Sequence, residues 1–246
     1  MKKLVIGLLL LFVLTGCKCS KDKEIEDNNN YNKQEETYYA SNNNYEYDID
    51  LINELLDIIN LSINKDYKSI TIGNTKANVG IMHYNQKIYG EEEKKDDVIT
   101  LLSTSSSFFV DVYHKAIFDN GYVSYKNKEE DSETKVLYEE YRSIYGVIPS
   151  EGFIGYIINS DTITGIIKND NNYKIMLDNN SSTIYMAIQM KEFGGLNSNP
   201  IFKKIELSID TNEVVTKVTL DSEYQISKSI LGTMNCTQHL EIDFKY

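Results

Sequence analysis

The pattern of apolar and polar positions divides the chain into four stretches. An unbroken apolar run covers residues 4–14, and a polar stretch with two asparagine triplets follows to about residue 47. Apolar residues then recur at spacings of three and four as far as residue 145, whereas beyond residue 152 they alternate with polar residues. Because helices repeat every 3.6 residues and strands every two, the pattern predicts a leader, a tether, a largely helical N-terminal half and a β-rich C-terminal half.

Residues 1–16 have the three parts of a secretory signal peptide. Lys2 and Lys3 precede the apolar run, and the small residues Thr15 and Gly16 follow it. A helix rises 1.5 Å per residue, so the run spans only about half of a hydrocarbon core roughly 30 Å thick. The leader is too short for a permanent membrane span, and we expect it to be removed after export.

The stretch Leu14-Thr15-Gly16-Cys17 resembles the lipobox of bacterial lipoproteins. The resemblance implies cleavage before Cys17 and attachment of a diacylglyceryl group, and usually an N-acyl chain, to that cysteine. Cys19 does not fit, because Lys18 stands where a small residue is needed. The alternative is an ordinary secretory signal with an accidental cysteine. We expect the acyl chains on Cys17 to hold the protein in the cell envelope, on the periplasmic or cell-surface side, since two or three chains anchor firmly.

The lipidated tether, residues 17–47, contains almost no aliphatic side chains. Such a segment cannot bury enough apolar surface to offset the entropy lost on ordering, so we expect it to be disordered. A flexible coil of about thirty residues has an end-to-end distance of roughly 30 Å. The tether then holds one folded domain, residues 48–246, away from the membrane.

Helices are predicted at both ends of the N-terminal half. Apolar residues from Ile49 to Ile59 form one helical face, which predicts a helix from Asp48 to about Leu61 with Asp48 or Asp50 capping its first turn. Another helix is predicted over residues 133–145, with Val136, Leu137, Tyr141 and Ile144 facing inward and Gly146 after its end.

A long helix is predicted over residues 97–118. Its apolar face runs from Val98 to Ala116, the acidic run at residues 91–97 suits its N-terminus, and Asn120-Gly121 suits its end. Two short strands, residues 69–72 and 77–84, are predicted before it, joined by a turn at Gly73-Asn74.

Beyond residue 152 the alternation predicts strands separated by short, turn-rich segments. Such segments leave no room for crossover helices, so neighbouring strands pair antiparallel. The predicted strands are residues 152–159, 162–168, 173–177, 182–190, 201–209, 214–220, 224–230 and 240–246.

The predicted fold is therefore α+β. A curved antiparallel β meander, with about seven to eight strands in the C-terminal half, packs on helices from the N-terminal half. One face is apolar, with Leu240, Ile242 and Phe244 on the last strand and Ile201, Ile205, Leu207 and Ile209 on an earlier one. We expect the helix over residues 97–118 to cover this face.

The net charge limits the range of partners. The chain has 25 Lys and Arg against 37 Asp and Glu, a formal charge of −12, and its basic residues form only short pairs such as Lys94-Lys95 and Lys203-Lys204. No patch of this kind neutralises enough phosphates to bind a nucleic acid. Nucleic acids are excluded as partners.

The sequence contains no G-x-S-x-G, P-loop, H-E-x-x-H or dinucleotide motif. The histidines His83, His114 and His239 have no common metal-ligand spacing. We expect His83 and His239 at exposed strand positions and His114 on the outer side of the helix over residues 97–118. Carboxylate pairs such as Glu139-Glu140 or Asp221 with Glu223 are too common in so acidic a chain to identify an acid and a base. No catalytic, cofactor or metal residue is predicted.

The sequence offers candidates for two further features, a calcium site and a disulfide. The turns at residues 169–172 and 178–181 carry oxygen ligands suited to Ca²⁺ but lack the glycine and distal glutamate of a helix-loop-helix calcium site, so turn formation is the expectation. Cys19 and Cys236 remain after acylation of Cys17, and an exported chain can oxidise them to a disulfide. Because Cys19 lies in the tether and Cys236 near the last strand, we expect separate thiols.

Three functions are compatible with these features. The first is a lipid-anchored envelope or surface lipoprotein with a non-catalytic binding or structural role, its partner a protein or a hydrophobic ligand. The second is a lipid carrier, because the stripe Ile184, Met186, Ile188 and Met190 can line a cavity and the architecture is similar to the half-barrel of bacterial lipoprotein and lipid carriers. The carrier requires a cavity of several hundred Å³ between helix and sheet. The third is a hydrolase whose acids converge only in the fold.

Overall fold

The computed structural model describes residues 45–79, 82–106, 111–145, 158, 160, 162–179, 201–228 and 232–246. In these ranges the chain forms two helices and one antiparallel sheet of eleven strands. The helices are α1 (Ile49–Ile63) and α2 (Tyr138–Tyr145). The strands are β1 (Tyr67–Val79), β2 (Met82–Lys95), β3 (Val98–Ser106), β4 (Asp111–Asp119), β5 (Tyr122–Lys126), β6 (Thr134–Leu137), β7 (Ile163–Asn169), β8 (Asn172–Leu177), β9 (Ile201–Asn212), β10 (Val214–Lys228) and β11 (Gly232–Lys245).

The sheet consists of two meanders joined through the first and last strands. Its order is β6-β5-β4-β3-β2-β1-β11-β10-β9-β8-β7, so every strand except β1 and β11 pairs only with its neighbours in sequence. The long strands β1 and β11 pair over most of their length, from Lys68 opposite Lys245 to Asn78 opposite Asn235. A sheet of this many strands twists and curls instead of lying flat.

Tight hairpin turns explain why the N-terminal half is a meander. Asp96 and Asp97 have φ angles of 50° and 65° and connect β2 to β3, and Asn120 and Gly121 have φ angles of 48° and 81° and connect β4 to β5. Two consecutive left-handed residues are typical of the turn whose twist matches that of paired strands. The acidic residues at 96–97 therefore form a turn, and Asn120-Gly121 joins two strands.

Both helices lie on the same face of the sheet, which we call the inner face. The register establishes this, because directly opposite residues share a face. Leu101 of β3 is opposite Glu92, Glu92 is opposite Ser69, and Ser69 is opposite Phe244 of β11. Leu101 belongs to the apolar cluster of α2, and Phe244 packs against that of α1.

The larger core lies between α1 and strands β7–β11. Ile52, Leu55 and Ile59 of α1 are at most 1% exposed, and each such burial contributes about 2 kcal/mol. Asp48 caps the helix, its Oδ1 accepting the amides of Asp50 at 3.0 Å and Leu51 at 3.1 Å. The sheet residues of this core include Ile166, Tyr173, Ile175, Leu177, Phe202, Ile205, Leu207, Ile209, Val215, Val218, Leu220, Tyr224, Ile226, Leu240 and Ile242.

A smaller core lies under α2. It contains Ile99, Leu101, Ala116, Phe118, Val123, Val136 and Tyr141. Tyr141 stacks edge-on against Phe118, with ring centroids 5.2 Å apart. Short α2 thus covers the opposite end of the sheet from α1.

The prediction of an antiparallel sheet with an apolar face is confirmed, but the expected share of helix is wrong. Residues 98–106 and 111–119 form β3 and β4, because Ile99, Leu101, Ser103 and Ser105 alternate with outward residues and the serine and threonine run disfavours helix. The apolar face is covered by α1 instead. The protein is mainly antiparallel β, with five of the described strands in its C-terminal half.

Other predictions hold in part. The first helix is confirmed and ends at Ile63. The predicted strands 69–72 and 77–84 are replaced by β1 and β2, and Gly73-Asn74 lies inside β1. The helix expected over residues 133–145 begins only at Tyr138, after β6, and Leu137 is 53% exposed. The predicted strands 214–220 and 224–230 merge into one strand, β10, as far as residue 228, where the described part ends.

The predicted face of β9 is correct except at its start. A register irregularity between β9 and β10 places Phe202 opposite Tyr224, whereas Ile205 is opposite Ser222. Such a bulge reverses which alternate residues face inward. Phe202 is therefore buried and Ile201 is 63% exposed.

Several predictions lie outside the described residues. They are the leader 1–16, Cys17 and Cys19, the tether up to residue 44, most of the strand 152–159, and the strand 182–190 with its methionine stripe. The last three residues of the tether are described: the Glu46 carbonyl accepts the Ile166 amide of β7 at 2.9 Å. Within the described ranges, neither helix is long and apolar enough to cross a membrane.

Candidate functional site

A strip of small and polar side chains separates the two apolar cores on the inner face. We call it the central strip and define it as Thr71, Gly73 and Thr75 of β1, Gln86, Ile88 and Gly90 of β2, and Ser103 and Ser105 of β3. The register aligns these residues in rows, with Thr71 opposite Gly90 and Gly90 opposite Ser103. The strip crosses three adjacent strands in the middle of the sheet.

The positions of the two helices leave the strip between them. Helix α1 packs mainly against β10 and β7, and α2 against β6 and β5. Every strip residue on β1 and β2 is half-buried, although residues on the same face in the flanking cores, such as Ile205 and Ala116, are fully buried. The strip is thus a partly accessible surface between closed apolar walls.

Gly90 has room for a small side chain in the strip. A β-carbon placed on it would lie 3.4 Å from Cβ of Thr71, an ordinary van der Waals distance. A glycine in a strand interior usually weakens the strand and marks a close approach by another group. Because glycine has no side chain, the surface of the strip is lower at Gly90 than at the residues beside it, and Gly90 shapes a shallow groove.

Hydrogen-bonding side chains extend from the strip into the larger core. Gln86 Nε2 donates to Ser105 Oγ at 2.9 Å, and Gln238 Nε2 of β11 lies 3.5 Å from Thr75 Oγ1. Gln238 is opposite both Thr75 and Ser222 of β10. These five side chains form a continuous polar row across β10, β11, β1, β2 and β3.

One end of the strip carries the carboxyl group of Glu92, whose pKa is raised. The hydroxyl of Tyr67 donates to Glu92, and burial raises the pKa of Glu92 despite that hydrogen bond. Burial and the adjacent Glu92 also raise the pKa of Tyr67. Tyr67 borders an apolar depression at the end of α1, lined by Ile59, Ser62, Ile63, Tyr67, Phe244 and Tyr246.

His114 contradicts its predicted position on the outside of a helix. It lies on β4 opposite Ser103, faces the inner side, and is 6% exposed. Its Nδ1 is 2.8 Å from Asn127 Oδ1, and its Nε2 is 2.8 Å from the hydroxyl of Tyr141. Burial lowers the pKa of His114, so the ring is neutral, with Nδ1–H donating to Asn127 and Nε2 accepting from Tyr141.

This arrangement fixes α2 to the sheet. Because Asn127 and Tyr141 engage both ring nitrogens, His114 is not placed to activate Ser103 as a nucleophile. The contact instead holds a buried tyrosine of α2 over the smaller core. A structural role accounts for His114.

The other histidines lie on the outer face. His83 of β2 is exposed, as predicted, and its Nδ1 contacts Asn78 Oδ1 at 2.6 Å. His239 of β11 is half-exposed, with Nδ1 2.7 Å from Asp221 and Nε2 3.3 Å from Glu241. Among the described residues, no group of three His, Cys, Asp or Glu side chains could hold a metal ion.

The carboxylates do not form an acid and base pair in the part of the chain that is described. Glu139, Glu140, Asp221 and Glu223 are not buried. Hydrogen bonds with Lys168 and Tyr173 lower the pKa of Glu54, which lies on α1, and a hydrogen bond with Lys217 lowers that of Glu241 on the outer face. Neither Glu54 nor Glu241 lies in the same cleft as Glu92.

The remaining predicted sites have simple structural roles. Asp170, with a φ angle of 52°, and Asn171 form the turn between β7 and β8, as predicted. Of the second asparagine-rich turn, 178–181, only Asp178 and Asn179 are described. Cys236 is a buried free thiol, and burial raises its pKa to about 11.

Local sequence patterns do not reveal the central strip. They predict Ser103 and Ser105 on a helix and Gly73 in a turn, so the strip residues belong to different predicted elements. The available signal was the alternation of Ile99, Leu101, Ser103 and Ser105, which continues one strand face from apolar to small polar residues.

Comparison with known proteins adds little. No family model matches the chain, and no curated protein matches its sequence. Among solved structures, a DUF1329 family protein from Desulfovibrio piger ATCC 29098 is 9% identical, with a TM-score of 0.27 over 80% of this chain and 91% of that chain.

Two polyketide dehydratase structures are less similar still. An inactive mutant of the CurJ dehydratase is 8% identical, with a TM-score of 0.15 over 79% of this chain and 81% of that chain. An N-terminal dehydratase from the difficidin assembly line is 9% identical, with a TM-score of 0.14 over 79% and 83% of the two chains. Similarity at these levels transfers no function to this chain.

Proposed function

We propose that this protein is a lipid-anchored envelope lipoprotein with a non-catalytic binding role, and that its binding surface is the central strip. The observation that carries the binding role is the half-buried, glycine-containing strip between two closed apolar cores. The lipobox ending at Cys17 supports the anchor, since it supplies both export and acylation.

The ligand that suits this surface is amphipathic. Ile88 and the adjoining cores offer apolar contacts, while Thr75, Gln86 and Ser105 offer hydrogen bonds within the same groove. Ligand sites commonly combine apolar walls with a few placed polar groups. This favours a lipoprotein that binds an amphipathic ligand over a purely structural one.

The proposed site lies beside α1, not beneath it. The carrier hypothesis expected a cavity between helix and sheet, but Ile52, Leu55 and Ile59 fill the inner face there. The hydrolase hypothesis has less support, because Asn127 and Tyr141 engage His114 and no carboxylate pair shares a cleft in the described ranges.

The anchor is tested by labelling cells with a radioactive or alkyne-tagged fatty acid. Replacement Cys17→Ser should abolish labelling and leave the leader uncleaved, because only a thiol forms the thioether. The matched control Cys19→Ser should be labelled and processed like the wild type. Continued labelling of the Cys17→Ser protein would overturn the anchor.

The binding role is tested with the mature chain, residues 17–246, carrying Cys17→Ser so that no acyl group competes for the site. Nile red fluorescence reports an apolar site, and mass spectrometry identifies lipids that copurify with the chain. Gly90→Leu fills the groove and should weaken Nile red binding at least tenfold. The control Asn85→Leu, on the outer face of the same strand, should not.

Folding of both variants is checked by thermal unfolding, and Thr71→Leu serves as a second groove-filling variant. The proposal fails if folded Gly90→Leu and Thr71→Leu proteins bind Nile red as the wild type does. It also fails if the wild type binds none.

A further inference from the structure

Two buried polar atoms at the edge of the central strip have no hydrogen-bond partner among the described residues. They are Ser222 Oγ on β10 and Gln238 Oε1 on β11, from directly opposite residues on the inner face. Ser222 is 3% exposed. Buried side-chain oxygens without a partner are rare in folded proteins, and each needs an explanation.

Gln238 lies between Thr75 and Ser222. Its Nε2 donates toward Thr75 Oγ1 at 3.5 Å on the β1 side, and Ser222 is directly opposite on the β10 side. Gln238 itself is half-buried, as Thr75 is. The two oxygens are therefore at the boundary where the accessible strip meets the closed core.

The described side chains around the pair are uncharged and mostly apolar, and the Tyr224 hydroxyl bonds to Thr75 and Cys236. Ser222 is opposite Ile205 of β9, and the next inward residues on β10 and β11 are Leu220, Tyr224, Cys236 and Leu240. Burial raises the pKa values of Tyr224 and Cys236, so both are uncharged at neutral pH. An ammonium group placed here would lose its hydration without gaining a counter-charge.

From this geometry we infer that Ser222 and Gln238 form a subsite for the neutral hydrogen-bond donor of an amphipathic ligand, an amide N–H or a hydroxyl, whose hydrocarbon chain lies along the strip. The amide oxygen of Gln238 can only accept, so the ligand must donate. This inference rests on the binding role proposed above and specifies the polar end of its ligand.

The test is competition against Nile red bound to the mature chain carrying Cys17→Ser. The competitors are dodecanamide, its N-methyl derivative and its N,N-dimethyl derivative, which share one chain and differ in having two, one or no N–H donors. We expect the first two to displace the dye at concentrations at least tenfold lower than the dimethyl amide. The N-methyl amide separates loss of the donor from added bulk.

Two variants test whether Ser222 and Gln238 cause the preference for amides with an N–H donor. Gln238→Met keeps the length of the side chain without its oxygen, and Ser222→Ala removes the other acceptor. In each, the concentration ratio between the dimethyl amide and dodecanamide at equal displacement of the dye should fall to twofold or less. The control Gln225→Met, at a residue of β10 with its side chain on the outer face, should keep the full preference.

The outcomes distinguish the two proposals. If Nile red binds and Gly90→Leu blocks it, but the three amides compete equally or Gln238→Met keeps the preference, the donor subsite is overturned and the binding role stands. If a dodecylammonium ion competes better than dodecanamide, the site takes a cation and the neutral-donor inference is wrong. If the wild type binds no Nile red, both proposals fail.

Discussion

Gly73 of β1 and Leu240 of β11 are directly opposite each other, and Cδ2 of Leu240 lies 2.5 Å from the position that a β-carbon on residue 73 would take. The carbonyl of His239 also crowds that position. Glycine is therefore needed here for close approach of a side chain and not for a turn. This contact fixes the position of Leu240 where β1 pairs with β11, the strands that join the two meanders.

The Gly73 contact predicts a sharp contrast between two glycines of the strip. Gly73→Ala should lower the free energy of unfolding by about 2 kcal/mol, because Leu240 and the β11 backbone must move. Gly90→Ala should change it by less than about 0.5 kcal/mol, since its β-carbon meets only ordinary contacts. Urea unfolding of both variants measures the difference. Equal effects would show that Leu240 can move aside freely.

His114 predicts a pH dependence of stability. Its pKa is lowered in the folded state from an ordinary value of 6.5 by burial. As the pH falls below about 6.5, the unfolded chain takes up a proton that the folded chain excludes, so the wild type loses stability. The His114→Gln variant has no imidazole at this position and does not lose stability in this way. The difference in free energy of unfolding between the wild type and the variant should therefore shrink from pH 7.5 to pH 5. A gap that stays constant over that range, by urea unfolding, contradicts the prediction.

Gly165 predicts how the end of the tether is held. A β-carbon on Gly165 would lie 2.8 Å from Cβ of Tyr45, and the next residue, Ile166, donates its amide to Glu46. Gly165→Ala should displace residues 45–46 and speed hydrogen exchange of the Ile166 amide at least tenfold. Exchange at Ile175 should be unchanged, and Gly90→Ala serves as a distant control. Unchanged protection of Ile166 would show that the bridge does not depend on Gly165.

Cys236 predicts slow thiol chemistry. With a pKa of about 11 instead of 9, it carries about 100-fold less thiolate at pH 8, and burial further limits access. In mature chain with Cys17→Ser and Cys19→Ser, iodoacetamide should modify the native protein more than 100-fold more slowly than the urea-unfolded protein. Mass spectrometry follows the reaction. Comparable rates in the two states would mean that the β10–β11 region opens readily.

Local signals in the sequence determined some elements without help from the rest of the fold. The spacing of Ile52, Leu55 and Ile59 and the cap at Asp48 specify α1, because both act within a few residues. The strands near Asp170, with its turn, follow from alternation and turn chemistry in the same way. The leader and Cys17 remain predictions from sequence.

Tertiary structure decided the rest, because those features depend on contacts between distant residues. Residues 97–118 carry apolar spacings that fit a helix as well as a strand, and pairing with β2 and β5 selects the strands. Whether Gly73 is a turn or a packing glycine depends on Leu240, far away along the chain. The central strip exists only because β1 pairs with β11, which places Thr75 beside Gln238 between two cores. No local pattern encodes such a pairing, since its energy comes from side chains that meet only after the sheet has formed.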